Sequence, residues 1–260
     1  MSEDATPLVV AQGLVKEYRK GTDTTRVVDD VSFAIGRGET LGLVGVSGSG
    51  KSTVARMLLR LIEPTAGSVG FAGEDVLAAN PRHLRGLRRR MQIVFQDPFA
   101  ALNPRMRVRQ ILAEPFAIHG ERPAGGIDAR ILEMLIDVGL DGSALNRYPH
   151  EFSGGQRQRI NIARALALKP EFLVLDEPVS ALDVSVGAQV VNLLRELQRT
   201  QQLTYLFISH SMPLVRYLCD RVAVMRKGRL VEMGEVLEVC EHPQEAYTRE
   251  LIAATPELPV

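Results

Sequence analysis

The chain has 260 residues, 45% of them apolar and 24% charged, the balance of a globular protein able to bury a core. Lys plus Arg equals Asp plus Glu at 31 each, so the formal net charge is zero and the basic excess of a nucleic-acid binder is missing. No apolar run approaches the roughly 18 residues that span a bilayer, and the acidic start MSEDATPLVV lacks the basic stretch of a secretory signal. Two cysteines, Cys219 and Cys240, give neither a disulfide framework nor metal-ligand spacing, and read as small buried hydrophobes or inert thiols. These features describe a soluble, intracellular, neutral protein and leave its function open.

In chain order, short strand-like runs alternate with helix-like stretches, the pattern of an α/β protein with βαβ units. Residues 40–45 (TLGLVG) read as a strand, broken by the glycine-rich run Val46–Gly50. Lys51–Ile62 then reads as a helix, ended by Pro64 and Gly67. Arg85, Arg88, Arg89 and Arg90 form a basic cluster, read as a solvated helix face or, more sharply, as a surface near a membrane partner or its anionic lipids. Residues 91–95 (MQIVF) look like a buried strand. From about 97 to 168 strand signal is sparse. Pro98, Pro104, Pro115, Pro123 and Pro149 punctuate short amphipathic helices such as Ile127–Val138, which predicts a mainly helical insertion. Strands are predicted again at 171–175, 204–208 and 221–225, and the last 25 residues predict a helical tail closed by Pro256 and Pro259.

Three motifs carry chemistry. Gly45, Val46, Ser47, Gly48, Ser49, Gly50, Lys51 and Ser52 fit G-x-x-x-x-G-K-[ST], between a predicted strand and a predicted helix. Such glycines let consecutive N–H groups point at phosphate oxygens, and the helix adds its positive N-terminal end. Lys51 supplies a charge for the β- and γ-phosphates, and the Ser52 hydroxyl suits Mg²⁺. Next, the apolar run Phe172–Leu175 ends in Asp176 and Glu177. Alone this is an ordinary strand-end acidic pair. Beside a phosphate loop, Asp176 occupies the place of the Walker-B aspartate that holds Mg²⁺, and Glu177 is positioned to orient and deprotonate a water. Finally, Ser153, Gly154, Gly155 and Gln156 precede the helical stretch Ile160–Leu168. Ser153 is a good N-cap, the glycine pair admits close approach of a ligand, and the helix start is a second anion site.

With Tyr18, Gln96, the run Ser180, Ala181, Leu182, Asp183, and His210 added, the chain resembles the ATPase subunit of ATP-binding cassette (ABC) transporters over essentially its whole length. The resemblance implies an α/β P-loop NTPase fold: a RecA-like core with an antiparallel β subdomain and an inserted α-helical subdomain. It implies one ABC ATPase domain over 1–260, with the nucleotide-binding core at 1–96 and 160–234. The helical subdomain with the signature run falls at 97–159, and the helical tail at 235–260. ATP and Mg²⁺ are the implied ligands. Tyr18 would stack on adenine, and Gly45, Ser47, Gly48, Ser49, Gly50, Lys51, Ser52 and Thr53 would bind phosphates. Ser52, Gln96 and Asp176 would serve the metal. Gln96 would sense the γ-phosphate and link to the helical subdomain, Glu177 would be the general base, and His210 would contact the γ-phosphate. Ser153, Gly154, Gly155 and Gln156 would close on the nucleotide of a second ATPase subunit, with Asp183 at that dimer contact. Phe152 stands where the family more often has Leu, and Ser211 where Asp is frequent.

Further runs resemble the peptide and nickel importer branch: Gln96–Phe99 with Leu102–Pro104, Arg147–Phe152, Ala181–Ser185, and the tail His242-Pro243 with Ala246–Leu251. That branch implies a homo- or heterodimer of ATPase subunits, two membrane permease subunits and an extracytoplasmic solute-binding protein, without nucleic acid. It places the chain peripherally on the cytoplasmic face of the bacterial inner membrane. A non-transport ABC ATPase of DNA repair or translation is the alternative. The single cassette, the zero net charge and the importer-type tail argue against it.

Overall fold

The computed structural model describes residues 6–21 and 23–254. Pro256 and Pro259, expected to close the tail, lie outside them. The chain forms two units. One holds the residues up to Leu84 together with those from Leu203 onward, and the other is Arg85–Gln202. In chain order, the first unit contributes β1 (Val9–Lys20), β2 (Asp23–Ile35), β3 (Thr40–Val44), α1 (Lys51–Leu58), β4 (Ala66–Phe71) and β5 (Glu74–Asp75). Helix α2 (Pro81–Arg90) leads into the second unit. There follow β6 (Met91–Val94), α3 (Pro98–Ala101), α4 (Val108–His119), α5 (Ile127–Asp137), α6 (Gly154–Leu166), β7 (Phe172–Asp176) and α7 (Val184–Gln201). The first unit resumes with β8 (Thr204–Ser209), α8 (Met212–Leu218), β9 (Arg221–Arg226), β10 (Arg229–Glu235), α9 (Val236–Glu241) and α10 (Ala246–Ala253).

Two sheet systems build the first unit. An antiparallel sheet runs in the order β2-β1-β4-β5. Alternation is confined to parts of its strands: β2 is exposed through Asp23–Arg26 and turns Val31, Phe33 and Ile35 inward only in its second half. Bulges between Ala11 and Leu14 and between Leu14 and Lys16 shift the register of β1 against β2, which breaks the period of two that periodicity reading depends on. Strand β3 lies between β8 and β9, parallel to both, and β10 closes the edge antiparallel to β9. Every residue of β3 and β8 is buried, as expected for strands covered on both faces.

In the second unit β6 and β7 pair in parallel, from Met91 opposite Phe172 to Val94 opposite Leu175. Helix α6 is the centre of packing, with Ile160, Ile162, Ala163 and Leu166 buried and α3, α4, α5 and α7 around it. No strand occurs between 97 and 168, as the sparse strand signal there predicts.

One element is shorter than expected. Helix α1 stops at Leu58, not at Ile62. Arg60 takes φ 48°, its N–H donates to Met57 O, and Leu61 N–H reaches back to Arg56 O, which is a Schellman closure. Glycine is the usual residue at this turn. Arg60 holds it because its guanidinium is anchored to Glu63 Oε1 at 2.7 Å and to the carbonyls of Ala79 and Val76 at 2.6 and 3.2 Å. The next breakers in sequence, Pro64 and Gly67, therefore come too late.

Candidate functional site

The phosphate loop stands at the C-terminal end of β3. Gly45 has φ 153° and Gly50 φ 108°. A Cβ on Gly45 would lie 2.2 Å from the Met225 carbonyl, and one on Gly50 would lie 2.7 Å from the Val27 carbonyl. Both positions therefore need glycine for conformation and for space. Lys51 opens α1 with its side chain buried, and its ammonium donates to Gly45 O at 2.8 Å and Val46 O at 3.0 Å. Val46, Ser47 and Gly48 are exposed, whereas Ser49 and Gly50 are buried. Gly50 brings no side-chain cap to α1, and its first turn carries no acidic residue, so the helix start suits an anion. Ser52 and Thr53 follow on the same turn, partly exposed. The parallel pairing of Val44 with Ser209 places His210, exposed just beyond β8, at the same end of the sheet as the loop. Tyr18 is 46% exposed on β1, with Lys16 Nζ 5.1 Å from its ring centroid. Its strand pairs with β2, whose Val27 carbonyl faces Gly50.

The second unit holds the carboxylates. Strand β7 delivers Asp176, buried, and Glu177, half-buried, at its end. The neighbouring β6 leads to Gln96, whose Nε2 donates to Glu177 Oε2 and to Ser180 Oγ, each at 3.2 Å. Its amide nitrogen is held, and the amide oxygen is the acceptor end. Gln96, Asp176, Glu177 and Ser180 are thus gathered at one strand end, and Ser180, which the sequence offers only as part of a motif run, is the member to which sequence reasoning gave no role.

Ser153 caps α6 as expected. Its hydroxyl accepts from Gln156 N–H at 3.3 Å, and the Gln156 side chain accepts from Ser153 N–H at 3.1 Å, a reciprocal capping box. The glycine pair has a second role. A Cβ on Gly155 would lie 2.2 Å from Val186 Cγ1, and one on Gly154 3.2 Å from Leu182 Cδ2. The signature turn therefore packs on the start of α7. Asp183 caps that helix through Val186 N–H at 3.0 Å, and this bond with the one from Ser185 Oγ holds its carboxyl below the usual carboxylate range.

These motifs agree with what the chain is similar to. Residues 28–180 match the ABC transporter family. The chain is 54% identical over 235 residues to an oligopeptide transport ATP-binding protein, OppF, of Bacillus subtilis, spanning 90% of this chain and 77% of that one. It is 47% identical over 259 residues to OppF of Streptococcus mutans, spanning 99% and 84%. The chain belongs to the ABC transporter family. Among solved structures, this ABC ATPase matches the ATP-binding cassette MJ0796, a dimer in a post-hydrolysis state bound to ADP and Pi. The TM-score is 0.79 and the identity 29%, over 88% of this chain and 98% of that one. The ABC ATPase fold is the one expected, and ATP is its nucleotide.

One contact in this ABC ATPase had no sequence signal. Tyr247, on the tail helix α10, accepts a hydrogen bond from Val46 N–H in the phosphate loop at 3.2 Å. The two residues are 201 positions apart, and in the sequence the run Ala246–Leu251 marks only the importer branch.

Proposed function

We propose that this ABC ATPase energises import of peptides, or of a related small solute such as nickel, through partner membrane subunits. The observation that carries this reading is its identity along nearly the full chain to two oligopeptide transport ATP-binding proteins. The partners are a second ATPase subunit, identical or related, two permease subunits and an extracytoplasmic solute-binding protein. The chain works from the cytoplasmic face of the bacterial inner membrane, attached through those subunits. No helix among the described residues is long and apolar enough to cross a membrane.

Lys51 and the amides of the 45–53 loop bind the phosphates, Tyr18 carries the adenine, and His210 contacts the γ-phosphate. Glu177 accepts a proton from the attacking water while Gln96 holds its carboxylate in place. The Ser52 hydroxyl, the Gln96 amide oxygen and the Asp176 carboxylate are hard oxygen donors of the kind Mg²⁺ takes. When bound, that ion neutralises charge on the β- and γ-phosphates. Ser153, Gly154, Gly155 and Gln156 serve the nucleotide held by the second subunit, and Asp183 lies at the subunit contact.

Two variants of the purified chain test the assignment. Glu177→Gln is expected to bind ATP within twofold of wild type and to lose turnover by about 10²–10⁴-fold, the range of a general base. Lys51→Ala is expected to lose nucleotide binding itself. Hydrolysis at the wild-type rate by the Gln variant would remove Glu177 from its role. For the solute, the binding protein that co-purifies with the assembled complex is expected to hold peptide. If no permease co-purifies, the importer reading is wrong.

A further inference from the structure

The peptide unit between Gly45 and Val46 is held from both sides. Its carbonyl accepts from Lys51 Nζ at 2.8 Å, on the side of the loop where Lys51 is buried. Its N–H donates to Tyr247 Oη at 3.2 Å, on the side of the tail. In a trans peptide these two bonds point in opposite directions, so fixing one end fixes the other. A turn of this plane would carry the Gly45 carbonyl away from the ammonium.

Tyr247 is itself well seated. It is buried on α10, and the Arg226 guanidinium lies 4.7 Å from its ring centroid. Arg226 ends β9, directly after Met225, whose carbonyl bounds Gly45. The next turn adds Gly228 N–H, which donates to Ser49 O at 2.9 Å. The tail is tied down by Glu232 of β10, whose carboxylate oxygens accept from Gln244 N–H at 2.7 Å and Glu245 N–H at 3.2 Å, immediately before α10. The outer face of the phosphate loop is thus braced by the β9–β10 turn and by the tail helix.

We propose that Tyr247 is a positioning residue for nucleotide binding: its hydroxyl orients the Gly45–Val46 peptide, and through that carbonyl the buried Lys51 ammonium. The C-terminal tail is therefore a structural part of the phosphate loop. This rests on the reading of 45–53 as the phosphate-binding element.

The test is Tyr247→Phe in the full chain, which removes the hydroxyl and keeps the ring under Arg226. Four quantities are read: affinity for MgATP by a fluorescent analogue, KM against kcat, the melting temperature without nucleotide, and hydrogen exchange at the Val46 amide. The expected result is affinity weaker by about threefold to tenfold, the range one neutral hydrogen bond supports. KM should rise in step, with kcat unchanged, melting temperature unchanged and faster exchange at Val46. Unchanged affinity would overturn the proposal. So would a loss of affinity that only follows a lower melting temperature, since that is packing. Lys51→Ala run alongside separates the two readings. If it keeps wild-type affinity, the phosphate-loop reading fails and this inference with it. If it loses affinity while Tyr247→Phe does not, this inference alone fails.

Discussion

Glu177 holds φ 48°, a conformation that residues other than glycine adopt at a cost of about 1–3 kcal/mol. The turn that follows is fastened to it: Ser180 N–H and Ser180 Oγ both donate to the Glu177 carbonyl, at 3.3 and 3.1 Å. Strain of this kind at a strand end, beside a buried Asp176, aims a side chain and does not serve stability. Glu177→Gly is therefore expected to melt at or above the wild-type temperature while hydrolysis falls on the order of a hundredfold or more. Thermal unfolding and phosphate release on one preparation check both halves. A lower melting temperature would show that the Gln96 bond to the carboxylate, and not relief of the backbone, decides stability here. At this scale the sequence is legible where the order of motifs places a residue, as it places Lys51 at the start of α1 and Asp176 and Glu177 at the end of β7. It is silent where chemistry depends on conformation or distant pairing. Neither the positive φ of Glu177 nor the bond from Val46 to Tyr247 leaves a local trace.

Among the elements, buried strands were the most legible, because β3, β6, β7, β8 and β9 are short apolar runs with polar ends. The antiparallel strands β1, β2 and β4 come only through the family resemblance, since bulges and a half-exposed β2 interrupt their alternation. Helix ends are legible at Ser153, which caps α6, unread at Asp183, whose capping of α7 the sequence does not announce, and misread where Arg60 stands in for glycine. The glycines of the signature run show the same limit. They suggest room for a ligand, yet Gly155 is also where α6 meets Val186 of α7. Gly155→Ala gains up to about 1 kcal/mol of helix propensity. Against that, its Cβ would lie 2.2 Å from Val186 Cγ1, and overpacking of this kind costs about 1–3 kcal/mol. The net expectation is a loss of stability in urea unfolding. Adding Val186→Ala should recover part of it, because the cycle removes the clashing methyl. Additive losses in the double variant would show that the clash is relieved elsewhere.

At the scale of the whole molecule, part of the balance of 31 basic and 31 acidic residues is spent in ion pairs. Within the basic cluster, Arg89 meets Glu121 at 2.6 Å and Arg90 meets Glu171 at 2.5 Å. Pairs as exposed as these contribute about 0–1 kcal/mol each, in keeping with a solvated helix face. The two cysteines report on a larger property. Burial pushes both thiols above their ordinary range, and the Asp220 carboxylate raises Cys219 further. Cys219 is 6% exposed, and its Sγ lies 3.0 Å from where a Cβ on Gly42 would stand, at the middle of β3. An opening wide enough to expose Cys219 must disturb β3, and β3 leads straight into the phosphate loop. Opening and nucleotide binding should therefore exclude each other. Since the folded thiol is raised, its contribution to stability is complete below the ordinary thiol range and is lost as pH rises toward its folded value. Labelling thus quickens with pH on two counts, and the comparison is made at one pH near 8. With iodoacetamide, Cys240 is expected to react first and Cys219 slowly. MgATP at a hundred times its Kd is expected to slow Cys219 by on the order of a hundredfold, the linkage for a ligand that binds only the closed form. Peptide mass spectrometry over time reads both sites. Equal rates at Cys219 with and without MgATP would mean that the thiol is reached by a local fluctuation that leaves β3 and the loop in place.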